Sequence, residues 1–137
     1  MAVEIRSTRN GSTLSFSNPR SGAEGFVTFT AELKAFPLSA IVEVEDLGLD
    51  GLVSYFSEIA RQWRGWKGAV TYQAVEGQLQ LESTSDTSGH VFLKVSLRDD
   101  LGGADWLASG VFFLEAGQLQ QLATDMQRLA ERVRDVS

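Results

Sequence analysis

Trp63-Arg64-Gly65-Trp66-Lys67-Gly68 places two indoles three residues apart, each followed by a cation and a glycine. Downstream, Asp86-Thr87-Ser88-Gly89-His90 supplies the single histidine of the chain. Indoles beside cations are the raw material of a recognition surface, because they bring large apolar area with a charged handle. An imidazole near carboxylates and hydroxyls is the raw material of acid–base work. The rest of the sequence does not complete a catalytic set. One histidine and no cysteine cannot supply the nitrogen and sulfur ligands that zinc takes, and the absence of cysteine also removes disulfides, iron–sulfur clusters and thiol nucleophiles. Asp86, Ser88 and His90 make up a Ser–His–Asp set by residue type, but no Gly-x-Ser-x-Gly elbow exposes a nucleophile. There is no phosphate loop, dinucleotide fingerprint or calcium loop. No cofactor and no metal is therefore expected.

Carboxylates remain as candidates. Glu43, Glu45, Asp46 and Asp50 fall at the end of one apolar alternation and the start of a helical pattern, and Asp99, Asp100 and Asp105 flank one loop. Acids at a helix start answer the helix dipole, and a glycosidase-type pair would need a set separation across a cleft. Glu43 and Glu45 form the outer face of a strand, an acidic edge suited to a basic partner. The net charge is −6, with eighteen acids against twelve bases, and the second half of the chain carries most of the excess. Such a surface repels a phosphate backbone, so nucleic acid is not an expected partner.

These residues need a scaffold. A chain of 137 residues that is 43% hydrophobic can bury a core without covalent staples, and no linker or low-complexity tract divides it. One domain over 1–137 is expected. No segment approaches the roughly 20 apolar residues that span a bilayer, and Met1 to Arg6 lacks a basic leader followed by an apolar run. A cytoplasmic chain without a membrane partner is the expectation.

Val3 and Ile5, Leu14 and Phe16, Val27 to Leu33, and Ala40 to Val44 alternate apolar with polar residues and predict strands. Asn10-Gly11 predicts a turn, Asn18 to Gly22 a loop, and Pro37 a break. Leu49, Leu52, Phe56, Ile59, Ala60 and Trp63 recur at spacings of three and four, which predicts an amphipathic helix stopped at Gly65 with Trp63 on its core face. The order then repeats. Val70 to Ala74, Leu79 to Leu81, Val91 to Leu97 and Trp106 to Leu114 predict strands, with Trp106 in the core, Glu76-Gly77 a turn and Asp99 to Gly103 a loop. Leu119, Leu122, Ala123, Met126, Leu129, Ala130 and Val133 predict a closing helix. The fold class is α+β: one or two antiparallel sheets of about seven or eight strands with two amphipathic helices. Halves 1–68 and 69–137 read as a pseudo-repeat.

In this frame Trp66, beyond the helix stop, either caps the core or stands exposed beside Arg64 and Lys67. His90 shares parity with Lys94, Ser96 and Arg98, which puts it on the wetter face of its strand with a turn-closing hydrogen bond. The Trp63 to Gly68, Glu76 to Leu81, Asp86 to Val91 and Leu114 to Leu119 segments resemble a family of small actinobacterial proteins catalogued as a domain of unknown function. That resemblance implies a single compact domain and carries over no assigned activity. Three readings follow, in this order. The first is a non-enzymatic protein-binding module, an immunity-like inhibitor or regulator by analogy of composition, acting through Trp66, His90 and Arg64 or through Glu43 and Glu45 against a basic partner. The second is a homodimer or higher homo-oligomer joined by exposed aromatics such as Phe92. The third is a small-ligand binder or carboxylate enzyme with a deep polar pocket and a carboxyl of raised pKa.

Overall fold

The computed structural model describes residues 2–99 and 105–136, with side chains through Val133. Asp100, and with it most of the loop expected after Asp99, lies outside the described residues. Ten main elements follow in the order β1 (Ala2–Arg6), β2 (Thr13–Ser21), β3 (Val27–Ala35), β4 (Leu38–Asp46), α1 (Asp50–Arg61), β5 (Val70–Gln73), β6 (Leu79–Ser85), β7 (Val91–Asp99), β8 (Trp106–Leu114) and α2 (Ala116–Val136). The strands form two four-stranded antiparallel sheets, β1-β2-β3-β4 and β5-β6-β7-β8, each pairing neighbours in sequence. The fold is the expected α+β class, with two sheets of four strands and two helices. Four strands and a helix occur twice in the same order, as the pseudo-repeat pattern implied.

The alternation seen in sequence is the alternation of burial. On β3, Val27, Phe29, Ala31 and Leu33 are buried; on β7, Val91, Leu93, Val95 and Leu97 are buried. Period-two side chains point to opposite faces, so each sheet presents one apolar face inward and one wetter face outward. The inner faces and both helices share one apolar cluster. Phe16 meets Phe29 and Phe56 edge-on at 5.7 and 6.4 Å, joining β2, β3 and α1.

The helices do not simply cover the sheets that precede them. Helix α2 lies against β1 and β2, α1 lies against β5, and the two helices pack on each other. The loop between β1 and β2 also reaches the second sheet. The Thr8 N–H and hydroxyl donate to the Phe113 carbonyl, Phe113 N–H donates to Ser7 Oγ, and the Asn10 amide donates to the Val111 carbonyl. One end of edge strand β8 is capped in this way, which protects it from pairing with another chain.

Two expectations change. Asn18 to Ser21 is the end of β2 rather than a loop: pairing with β3 slips between Ser17 and Arg20, and Asn18 takes a left-handed φ of 53°. A bulge absorbs Pro19, which lacks the N–H a regular ladder would need, and lets the strand rejoin at Arg20. Helix α1 ends at Arg61, earlier than the Gly65 stop. Its Trp63 therefore leaves the helical register and is 50% exposed rather than in the core. Trp106 is half-buried against the core.

Candidate functional site

The segment after α1 and the turn between β6 and β7 are built into one another. Gln62 to Arg64 form a turn closed by the Gly65 N–H donating to the Gln62 carbonyl at 2.8 Å. Gly65 has φ +115°, and a Cβ there would sit 3.0 Å from the Asp86 carbonyl oxygen. Gly89 has φ +81°, and a Cβ there would sit 3.0 Å from the Trp63 carbonyl oxygen. Each loop uses a glycine where the backbone of the other approaches, in conformations that side chains rarely adopt. The two segments singled out in sequence thus form one interlocked corner.

Within the turn, the Asp86 carboxylate organises the backbone. Its Oδ1 accepts the N–H groups of Ser88 at 2.8 Å and His90 at 3.0 Å, and the Asp86 N–H donates to the His90 carbonyl at 3.1 Å. Asp86 Oδ2 lies 2.9 Å from His90 Nδ1, and Glu115 Oε2, just ahead of α2, lies 3.3 Å from Nε2. One imidazole therefore bridges two carboxylates from separate elements. The His90 ring, followed by the two backbone donors, holds the Asp86 carboxyl below the ordinary aspartate range. His90 closes its turn as its sequence position implied, and its ring is half-exposed.

The indoles divide the work. Trp66 packs half-buried against the core, and its indole N–H donates to the Ser83 carbonyl at 3.3 Å. Trp63 stands outward, with the Arg64 guanidinium carbon 4.9 Å from its ring centroid. Arg64 and Lys67 are exposed. Arg64, Gly65, Trp66, Lys67, Asp86 and Thr87 border an open groove of about 740 Å³. On the other side of Trp63, a smaller hollow of about 360 Å³ runs between Ala60 and the first turn of α2 at Ala116 and Gly117.

Trp66 and Arg64 share a groove with Asp86, to which His90 is bonded, while Glu43 and Glu45 lie on the outer face of the first sheet. Glu43 is engaged there, accepting from the Thr30 hydroxyl at 2.7 Å and from Arg20. Burial raises its pKa, but the Thr30 hydrogen bond and the Arg20 guanidinium outweigh that and hold it below the usual glutamate range. The acids expected to cluster near the start of α1 are dispersed: Asp46 accepts from the Tyr72 hydroxyl and from the Leu47 N–H. Tyr72 and Tyr55 are pushed above the ordinary tyrosine range, in each case first by burial. Phe92 is on the outer face of β7 as expected, but it packs edge-on to Phe113 at 5.5 Å, and Arg9 covers that second ring at 4.4 Å. Among the described residues no group of three His, Asp or Glu is placed to hold a metal ion, and no helix is long and apolar enough to cross a membrane.

Sequence reasoning missed Trp63 as a surface residue and Glu115 as a partner of His90. The run Arg61-Gln62 was the available signal for the first, since two polar residues next to the helix end foretell a turn before Gly65. No local signal pairs Glu115 with His90, because β7 and β8 separate them.

A model of a family of unknown function, DUF6228, matches residues 5–133. No curated protein matches the chain. A solved structure described as that of the plant transcriptional regulator PBF-2 is similar, with a TM-score of 0.48 and 9% identity over 98% of this chain and 81% of that one.

Proposed function

This chain belongs to the DUF6228 family of unknown function, and we propose that it is a non-enzymatic protein-binding module whose contact surface is the Trp63 to Lys67 corner with His90. The observation that carries the reading is the half-exposed Trp63, with the Arg64 guanidinium over its ring and Gly89 close against its backbone carbonyl. A large exposed aromatic beside a cation is the combination that most often anchors a protein interface. The carboxyls of Glu43 and Asp86 are shifted downward, the direction opposite to that of a general acid poised near neutral pH. In this reading the protein is a cytoplasmic inhibitor or regulator. The Trp-x-Gly-Trp-x-Gly and Gly-His elements are then the signature of small actinobacterial proteins of the family.

Trp63→Ala is the decisive variant, because Trp66 is tied into the core and its truncation would mix stability with binding. Wild-type and Trp63→Ala proteins are immobilised and exposed to lysate of the source organism. A stoichiometric protein retained by the first and lost by the second, with unchanged thermal unfolding, supports the module. Equal retention by both sinks it.

A second reading, self-association, has its own observation. Phe36 is fully exposed at the tip of the β3–β4 hairpin, and Leu38 and Ile41 follow it along β4, an edge strand of the first sheet. Exposed apolar side chains on and beside an edge strand favour association with a second copy. Solution mass by light scattering decides it: a dimer that Phe36→Ser dissociates supports this reading, and a monomer removes it.

A further inference from the structure

We infer that the Trp63 to Lys67 corner receives an acidic segment of its protein partner; this rests on the protein-binding reading above and specifies the partner's chemistry. The chain is net acidic, yet Arg64 and Lys67 are the only charged residues between 62 and 69. Both are exposed, and among the described residues neither enters an ion pair. The acids that flank them are already committed. Asp86, which borders the groove, has one oxygen filled by two backbone N–H groups and the other turned to His90. Glu115 faces the remaining imidazole nitrogen. The corner therefore offers two cations outside any ion pair among the described residues, beside carboxylates already engaged in hydrogen bonds, on a chain that is net acidic as a whole.

The geometry of the two cations suits carboxylates. Arg64 lies over the Trp63 ring, its guanidinium carbon 4.9 Å from the centroid, and a guanidinium takes a carboxylate in bidentate contact. Lys67 adds a second exposed cation along the same groove. An apolar side chain in the same segment would meet the exposed part of Trp63. A long phosphate backbone would face the same two cations, but it would also meet the acidic remainder of the surface, whereas a short acidic segment brings its charge only to the corner.

A random dodecapeptide library displayed on phage, panned against the full chain, tests the inference. Individual enriched peptides are then titrated into ¹⁵N-labelled protein while the indole N–H resonances of Trp63 and Trp66 are followed. Acidic peptides are expected to be enriched and to move both indoles. Their affinity is expected to fall roughly tenfold or more in Arg64→Glu/Lys67→Glu, and severalfold as salt rises from about 50 to about 300 mM. Neutral or basic peptides that move the same indoles overturn the acidic partner and leave the protein-binding corner standing. Absence of enrichment, or peptides that leave both indoles unmoved, overturns both. The titration of the unaltered protein decides between these outcomes even if the charge-reversed variant folds poorly.

Discussion

Gly89→Ala isolates the interlock that builds the corner. Alanine at φ +81° suffers the left-handed penalty of roughly 1–2 kcal/mol. Stiffening of the unfolded chain returns about 0.4–1 kcal/mol, so conformation alone leaves a loss near 1 kcal/mol. The new methyl group would also stand 3.0 Å from the Trp63 carbonyl oxygen, a backbone atom that cannot swing aside. Forcing packed groups apart typically costs a further 1–3 kcal/mol or so. The total expected is about 2–4 kcal/mol. Gly68→Ala is the matched control, because Gly68 has φ +76° and its Cβ would meet nothing within 4 Å. It should lose only about 1 kcal/mol. Urea unfolding followed by tryptophan fluorescence measures both on one scale, with unchanged slopes certifying that the midpoints report stability. Trp63 should also change its emission in the native baseline of Gly89→Ala and not of Gly68→Ala. Equal midpoints for the two variants would refute the interlock, since strain without contact would then explain everything.

The buried Tyr55 hydroxyl and Ser83 hydroxyl are paired to each other. Tyr55→Phe or Ser83→Ala alone should each cost about 1–3 kcal/mol by orphaning the other group, while the double variant should cost clearly less than the sum; strictly additive losses in urea unfolding would contradict the pairing. The Asp86 carboxyl has its folded pKa depressed, so its contribution to stability is present above the ordinary aspartate range and disappears as pH falls through the folded value. Unfolding free energy followed from about pH 6 down to about pH 2 should therefore fall less steeply in Asp86→Asn than in the wild type, and parallel curves would be evidence against the turn-organising role.

Much of the fold could be read from periodicity alone. All eight strands and both helices coincide with alternating or three-and-four patterns, because burial of one face is what selects those elements. Local chemistry misled where a tertiary partner decided the outcome. Asn18-Pro19 carries every mark of a loop, yet β3 holds it in the sheet through a bulge. The apolar spacing of α1 extends to Trp63, yet the chain turns after Arg61 so that Gly65 can meet Asp86 and Gly89 can meet Trp63. The closeness of the two motifs was visible only as proximity in sequence. Their mutual fit depends on glycines whose neighbours are set by how the end of α1 meets the β6–β7 turn. Glu115 joins His90 only because β7 and β8 run back alongside each other, an arrangement that no window of the sequence contains.

The placement of α2 against β1 and β2 has a consequence for how the protein is born. Synthesis delivers β1 to β4 ahead of the second sheet, and the helix that lies on two of those strands only after β8. At about 5–20 residues per second, on the order of ten seconds separates the end of β4 from the end of α2. Through that interval the inner side chains of β1 and β2, Val3, Ile5, Leu14 and Phe16 among them, lack the helix that packs on them and have α1 and then the second sheet as partial cover. Translation thus has to run through α2 before the sheet β1 to β4 is closed. A ribosome that stalls or terminates between β8 and α2 would release a chain with a sticky, half-covered sheet, a substrate for chaperones and proteases rather than a shorter working protein.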